Sequence, residues 1–194
     1  AEAGSWHAVA DLPRTLEAVP RRVHRLDPGT DESDLARCCR FLTRACELAS
    51  ERAAEAMAGP AGLVHGDWHP GNLLAHGGRL TAVLDFDAAR LEPRVSDVAN
   101  ACLQFAVNRP SDDPRHWPGV LAYERIRAVV AGYERIAGPL PPADRAALPW
   151  LMIEALVIES VAPIAREGRF GRFPASAFLP MVERKVRWLH ERSE

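Results

Sequence analysis

The sequence predicts a mainly α domain of the α+β type, carrying one small β-hairpin. Two observations lead to that expectation. Apolar residues recur at three- and four-residue steps over most of the 194-residue chain, the period of helices with one buried face. The period changes between residues 63 and 85, where short apolar runs flank the tetrapeptide His-Gly-Gly-Arg, whose paired glycines suit a tight hairpin turn.

The elements follow in order. Residues 1–29 hold three prolines and a basic cluster (Arg21, Arg22, His24, Arg25), and read as an irregular arm or linker with one short helix. From Thr30 to Ala58 the apolar positions Leu35, Cys39, Leu42, Cys46, Ala49, Ala53 and Met57 define an amphipathic helix, stopped by Gly-Pro-Ala-Gly. Short apolar runs at 63–64, 72–75 and 80–85 are strand-like, and the last two form the hairpin. Helices are then expected over about 96–107, 119–137, 143–167 and 175–192, separated by proline- and glycine-rich breaks. Pro149 and Pro163 should kink or restart the third of these.

Composition bounds the function. Hydrophobic content of 47% with 26% charged residues is that of an ordinary globular domain. A net charge of −2 gives no case for a nucleic-acid partner, which leaves a basic patch or stripe. No run of 18 or more apolar residues occurs, so no membrane partner is expected. The first residues lack the charged-then-apolar layout of a signal peptide. Cys38, Cys39, Cys46 and Cys102 offer no metal-type CxxC pair, and read as buried thiols in a reducing, cytoplasmic setting.

Polar chemistry concentrates in "LVHGDWHPGNLLAHGGRLTAVLDFD", residues 63–87. Pro70 and Gly71 force an irregular loop after His65-Gly66-Asp67, and such loops hold polar side chains in clefts. A hairpin joining Leu73–Leu74 to Val83–Leu84 brings Asn72 near Asp85, expected as a buried carboxylate beside a carboxamide, with Asp87 close by. That is a hard-oxygen set of the kind that suits Mg²⁺. Phosphoryl transfer needs such a set, plus a separate carboxylate to orient the attacking hydroxyl. The order His65, Asp67, Asn72, then Asp85-Phe86-Asp87 follows the protein-kinase catalytic pattern, with Gly66 in place of its arginine and Asp87 in place of its final glycine.

With those two departures, "HGDWHPGNLL" and "VLDFDAA" resemble the aminoglycoside phosphotransferase and choline kinase-like families, small-molecule relatives of the protein kinases. "EPRVSDVANA" is similar to their segment in which an aspartate opens a helix beneath the catalytic loop. The resemblance covers residues 62–100, about one fifth of the chain. It implies a kinase-like C-terminal helical lobe over 30–194, with a catalytic loop at 63–75, a metal segment at 80–90 and a helical acceptor region at 96–192. It implies transfer of a phosphoryl group from ATP, or another nucleoside triphosphate, to a hydroxyl of a small-molecule acceptor, with Mg²⁺. By position, Asp67 would be the catalytic base, and Asn72 and Asp85 the metal ligands, with Asp87 serving a second metal or its waters. His65 would support the loop, and Asp97 would hold the loop backbone by hydrogen bonds.

Other readings compete. Asp97 is also what a helix N-terminus favours through its dipole. Glu154 and Glu159 lie in an apolar helix, either lining a pocket for a cationic acceptor or pairing with arginines. His65, Asp67 and His69 alternate and could imitate a metallohydrolase site with Asp85 and Asp87, although Pro70-Gly71 argues against the extended strand this needs. Finally, a kinase grips its triphosphate with a glycine-rich loop and a strand lysine. No GxGxxG occurs, and the single lysine, Lys185, sits in the last predicted helix. The expectation is therefore a C-lobe whose N-terminal nucleotide lobe is absent, an excised or truncated domain. Its uncovered face would favour a homodimer. The alternative is a non-catalytic ligand-binding or scaffold lobe.

Overall fold

The computed structural model describes residues 11–26, 30–56, 59 and 61–193. It is a mostly helical α+β fold: six α-helices surround one apolar core, with three two-stranded antiparallel sheets at the periphery. The helices are α1 (Leu12–Leu26), α2 (Glu32–Ala56), α3 (Val95–Ala106), α4 (Tyr123–Ala137), α5 (Pro142–Glu167) and α6 (Ala175–His190). The last four match their expected spans closely, because proline and glycine punctuate each boundary. The short strands are β1 (Ala61–Val64), β2 (Leu73–His76), β3 (Arg79–Val83), β4 (Arg90–Pro93), β5 (Arg169–Phe170) and β6 (Phe173–Pro174).

The expected irregular arm is a helix over Leu12–Leu26. Leu12, Leu16, Val19 and Val23 recur on one face and are buried against α2 and α5. Pro13 sits in the first turn, where a missing N–H costs nothing, and the buried face holds the helix together through Pro20. The rest of the expected arm, 1–10 and 27–29, lies outside the described residues, as do Met57, Ala58 and Pro60. The start of α2 is fixed by Asp31, whose Oδ1 accepts the backbone N–H groups of Ser33 (2.8 Å) and Asp34 (3.3 Å). Its predicted stripe, from Leu35 to Ala53, is buried.

The helix α5 runs unbroken past Pro149 and Pro163, where a restart or kink was expected. Packing decides this: Leu148, Leu151, Ile153, Val157, Val161 and Ile164 are buried against α1, α2, α3 and α6, and burial on several sides outweighs two lost backbone bonds. Among the described residues, α5 is the one helix long and apolar enough to cross a membrane, and most of it is buried as a core helix. All four cysteines are free and buried.

The sheets position the polar residues. Strands β2 and β3 form the expected hairpin, in register Leu73↔Val83, with Gly77 (φ 55°) and Gly78 (φ 76°) supplying the two positive-φ turn positions. Strand β1 pairs with β4, Leu63 opposite Leu91, a pairing the apolar pattern does not reveal. These two sheets meet at the segment 65–72, which β1 enters and β2 leaves.

Candidate active site

The loop between β1 and β2 is held from three sides. From below, Asp97 in the first turn of α3 accepts the backbone N–H of His65 through Oδ2 (2.6 Å) and that of Gly66 through Oδ1 (3.0 Å). From within, the buried His65 ring bridges the loop to the segment after β3. Its Nδ1 accepts the N–H of Asp67 (3.3 Å), which leaves Nε2 to donate to the carbonyl of Leu84 (2.8 Å). Trp68 and Phe86 pack on the same ring, with centroids 5.4 and 4.8 Å away. From the far end, the N–H of Leu84 donates to the carbonyl of Asn72 (2.8 Å), extending the hairpin by one bond. Asp85, next in sequence, is thereby carried to the Asn72 end of the loop.

Gly66 explains one departure from the protein-kinase pattern. Its φ is 78°, and a Cβ there would stand 2.5 Å from the carbonyl oxygen of Ala88 and 2.3 Å from a guanidinium nitrogen of Arg90. No side chain fits. Arg90 is itself fixed by Glu92 (Nε to Oε1, 2.8 Å) and by the Ala88 carbonyl (2.8 Å).

Asp67 and Asn72 are in direct contact. The buried Asn72 amide donates from Nδ2 to the carbonyl of Asp67 (2.9 Å) and to its Oδ2 (3.1 Å). Sequence reasoning left His69 without a firm role, and the structure gives it one. Its Nδ1 accepts the N–H of Gly71 (3.0 Å), so Nε2 carries the proton and faces Asp67 Oδ2 at 3.4 Å. Only the absence of a side chain at Gly71 lets that ring fold over, since a Cβ would lie 2.6 Å from it. Asp67 Oδ2 thus accepts one hydrogen bond, from Asn72, with the His69 ring nitrogen facing it, while Oδ1, on a half-exposed side chain, has no donor among the described residues.

Asp85 departs from the expected buried carboxylate: it is exposed, as are Phe86 and Asp87. It is also the one non-glycine residue with positive φ (62°) among the described residues. An L-residue in that conformation carries strain that surrounding structure must hold in place, a condition concentrated at functional sites.

The expected ligands carry the donor type that Mg²⁺ takes. Fixing Nδ2 on Asp67 turns the Asn72 Oδ1 away from it, and with Asp85 and Asp87 offers oxygens only. Among the described residues no three His, Cys, Asp or Glu side chains gather as a metal site. The metallohydrolase reading finds no support in this arrangement. Both nitrogens of His65 and one of His69 are engaged in holding the loop, and imidazoles so occupied do not converge on an ion.

In the helical region Glu159 accepts from two amides: Oε1 from Asn100 Nδ2 (3.0 Å) and Oε2 from Gln104 Nε2 (2.7 Å). Glu154 is buried. His76 closes the hairpin opposite Arg79 and is exposed.

A helical α+β domain with a braced carboxylate loop beside an oxygen-rich hairpin is the kind of site that handles phosphoryl groups. The model of the APH family, the phosphotransferase enzyme family, matches residues 5–145, and the chain belongs to that family. A search of curated proteins finds no match.

Proposed function

We propose that this phosphotransferase moves the γ-phosphoryl group of ATP, or of another nucleoside triphosphate, to a hydroxyl of a small molecule. The chain is read as the equivalent of a kinase C-lobe. The observation that supports this reading most directly is the double hydrogen bond from Asn72 to Asp67, next to the strained Asp85. Asp67 Oδ2 is held by Asn72 and faced by His69, which leaves Oδ1 to accept the acceptor's hydroxyl proton as its oxygen bonds to the γ-phosphorus and the bond from that phosphorus to the β–γ bridging oxygen breaks, releasing the nucleoside diphosphate. Asn72 and Asp85 would hold Mg²⁺, and Asp87 would hold a second ion or bound waters. When bound, the metal neutralises charge on the phosphates. His65 and Asp97 keep the loop in place without touching substrate.

The triphosphate-gripping groups are not visible as motifs in this sequence, and Lys185 is buried in α6 with its ammonium on the carbonyl of Pro118 (2.6 Å). We propose that a further lobe supplies them. The same observation favours the second reading, a lobe that binds ligand or partner without catalysis.

Two variants separate these readings in a coupled ATP-turnover assay over a panel of hydroxyl acceptors, with Mg²⁺-dependent nucleotide binding measured alongside. Asp67→Asn is expected to abolish turnover and spare nucleotide affinity. Asp85→Asn is expected to weaken nucleotide binding itself. Near-normal turnover in Asp67→Asn would refute the base assignment, and no turnover of any acceptor even with the further lobe present would favour the non-catalytic lobe.

A further inference from the structure

Behind α3, and apart from the loop just described, lies a cavity of about 70 Å³. On that measure about 10–15 Å³ holds one water, so there is room for a small organic group. Its walls are mainly apolar, four of the side chains being aromatic. Phe170 and Phe178 stack at 4.2 Å between centroids, and Trp117 meets Phe173 edge-on at 5.3 Å. Two cations face this apolar space, Lys185 and Arg109, against one carboxylate, Glu159. Both Glu159 oxygens already hold the amides of Asn100 and Gln104.

Lys185 is the unusual member. Its side chain is fully buried, yet of three ammonium N–H groups only one has an acceptor among the described residues, the Pro118 carbonyl. A buried charge with unmet donors is costly, and native proteins supply a countercharge or a ligand. The charges acting on it are Arg184 and Arg109, both positive. With burial as the larger cause, they push its pKa down to about 8.

We propose that this cavity binds a small organic monocarboxylate, its carboxylate between the Lys185 ammonium and the Arg109 guanidinium, its apolar body against the apolar walls. A monoanion balances the one excess positive charge of the lining and gives Lys185 the acceptors it lacks. A phosphate dianion would exceed the one excess positive charge of the lining, and a neutral ligand would leave the ammonium unpaired. Most of the cavity, from Leu156 on α5 to Lys185, lies beyond residues 5–145, so the family match assigns it nothing. The site does not depend on phosphoryl transfer, and its occupancy can be read without nucleotide.

The test is calorimetric titration of the whole chain with benzoate, propionate, benzamide and inorganic phosphate. One or both carboxylates should bind, benzamide and phosphate should not, and Arg109→Gln should weaken the carboxylate at least about tenfold, the loss of a charge-assisted bond. Lys185→Met should abolish binding; if that variant fails to fold, the exposed Arg109 still decides. The proposal is overturned if benzamide binds as well as benzoate, if phosphate binds in preference, if Arg109→Gln binds benzoate unchanged, or if no carboxylate binds.

Discussion

Asp97 accepts the backbone N–H of Gly66 at 3.0 Å across 31 residues of sequence, and with its other oxygen accepts that of His65 at 2.6 Å. One side chain thus ties the first turn of α3 to the residue immediately before Asp67. Two explanations for an aspartate there differ in size. A favourable interaction with the helix dipole is worth about 0.3–1 kcal/mol at an ordinary helix end. Two charge-assisted bonds to backbone donors, one from the buried His65, are worth about 1.5–3 kcal/mol each when lost. Asp97→Ala is therefore expected to lower stability by about 3 kcal/mol or more, roughly 6–12 °C in Tm for a domain of this size. A loss below about 1 kcal/mol in denaturant melts would leave only the dipole role.

How much of this was legible in the sequence follows from the range of each interaction. The helices α3 to α6 and the β2–β3 hairpin are set by local period and by glycine and proline, so their residues announce them. Strand β4 is four residues with two charges and exists only because β1, nearly 30 residues earlier, pairs with it. In α1 the stripe Leu12, Leu16, Val19, Val23 was present to be read, and the prolines obscured it. The contact of Asp67 with Asn72 was legible because spacing within one loop sets it, and the hairpin that precedes Asp85 was legible from its glycines. The exposure and positive φ of Asp85 were not, since both depend on how the chain leaves β3. The amide partners of Glu159 were hidden for the same reason as β4, being 55 and 59 residues away.

Leu63 and Leu91 face each other across β1 and β4 while 71% and 76% exposed, and Leu74 and Leu80 of the hairpin are also exposed. One facing pair of exposed leucines, with two more on the hairpin, offers apolar surface of the kind that association covers. The chain is accordingly expected to self-associate through this surface. Light scattering at concentrations on the order of 10 μM should report a dimer, since a Kd of that size needs only about 7 kcal/mol. Leu63→Lys with Leu91→Lys should return it to monomer. A monomer in the unaltered protein, or a dimer indifferent to both substitutions, would remove this surface from the account.

The buried lysine carries a pH signature of defined sign. In the folded chain Lys185 titrates near 8, below the usual 10.5, because burial and the flanking Arg184 and Arg109 disfavour its charge. Between those values the unfolded chain holds a proton that the native chain has released, so native stability rises with pH through that window. The gain approaches about 3 kcal/mol, the two-and-a-half-unit gap at about 1.4 kcal/mol per unit. The buried thiols act in the opposite sense. Burial raises all four, Cys39 and Cys102 to about 12, so above about pH 9 the unfolded chain ionises thiols that the native chain keeps protonated. A raw melting curve against pH therefore mixes the two. The difference between the unaltered protein and Lys185→Met cancels the thiols, which both share. From about pH 7 to about pH 10, which spans most of that gain, the Tm of the unaltered protein should climb relative to the variant by roughly 5–10 °C. A constant difference would mean that Lys185 titrates normally in the folded chain and that its ammonium is already compensated. An excess of benzoate should flatten the rise, because a carboxylate held in the cavity favours the charged ammonium.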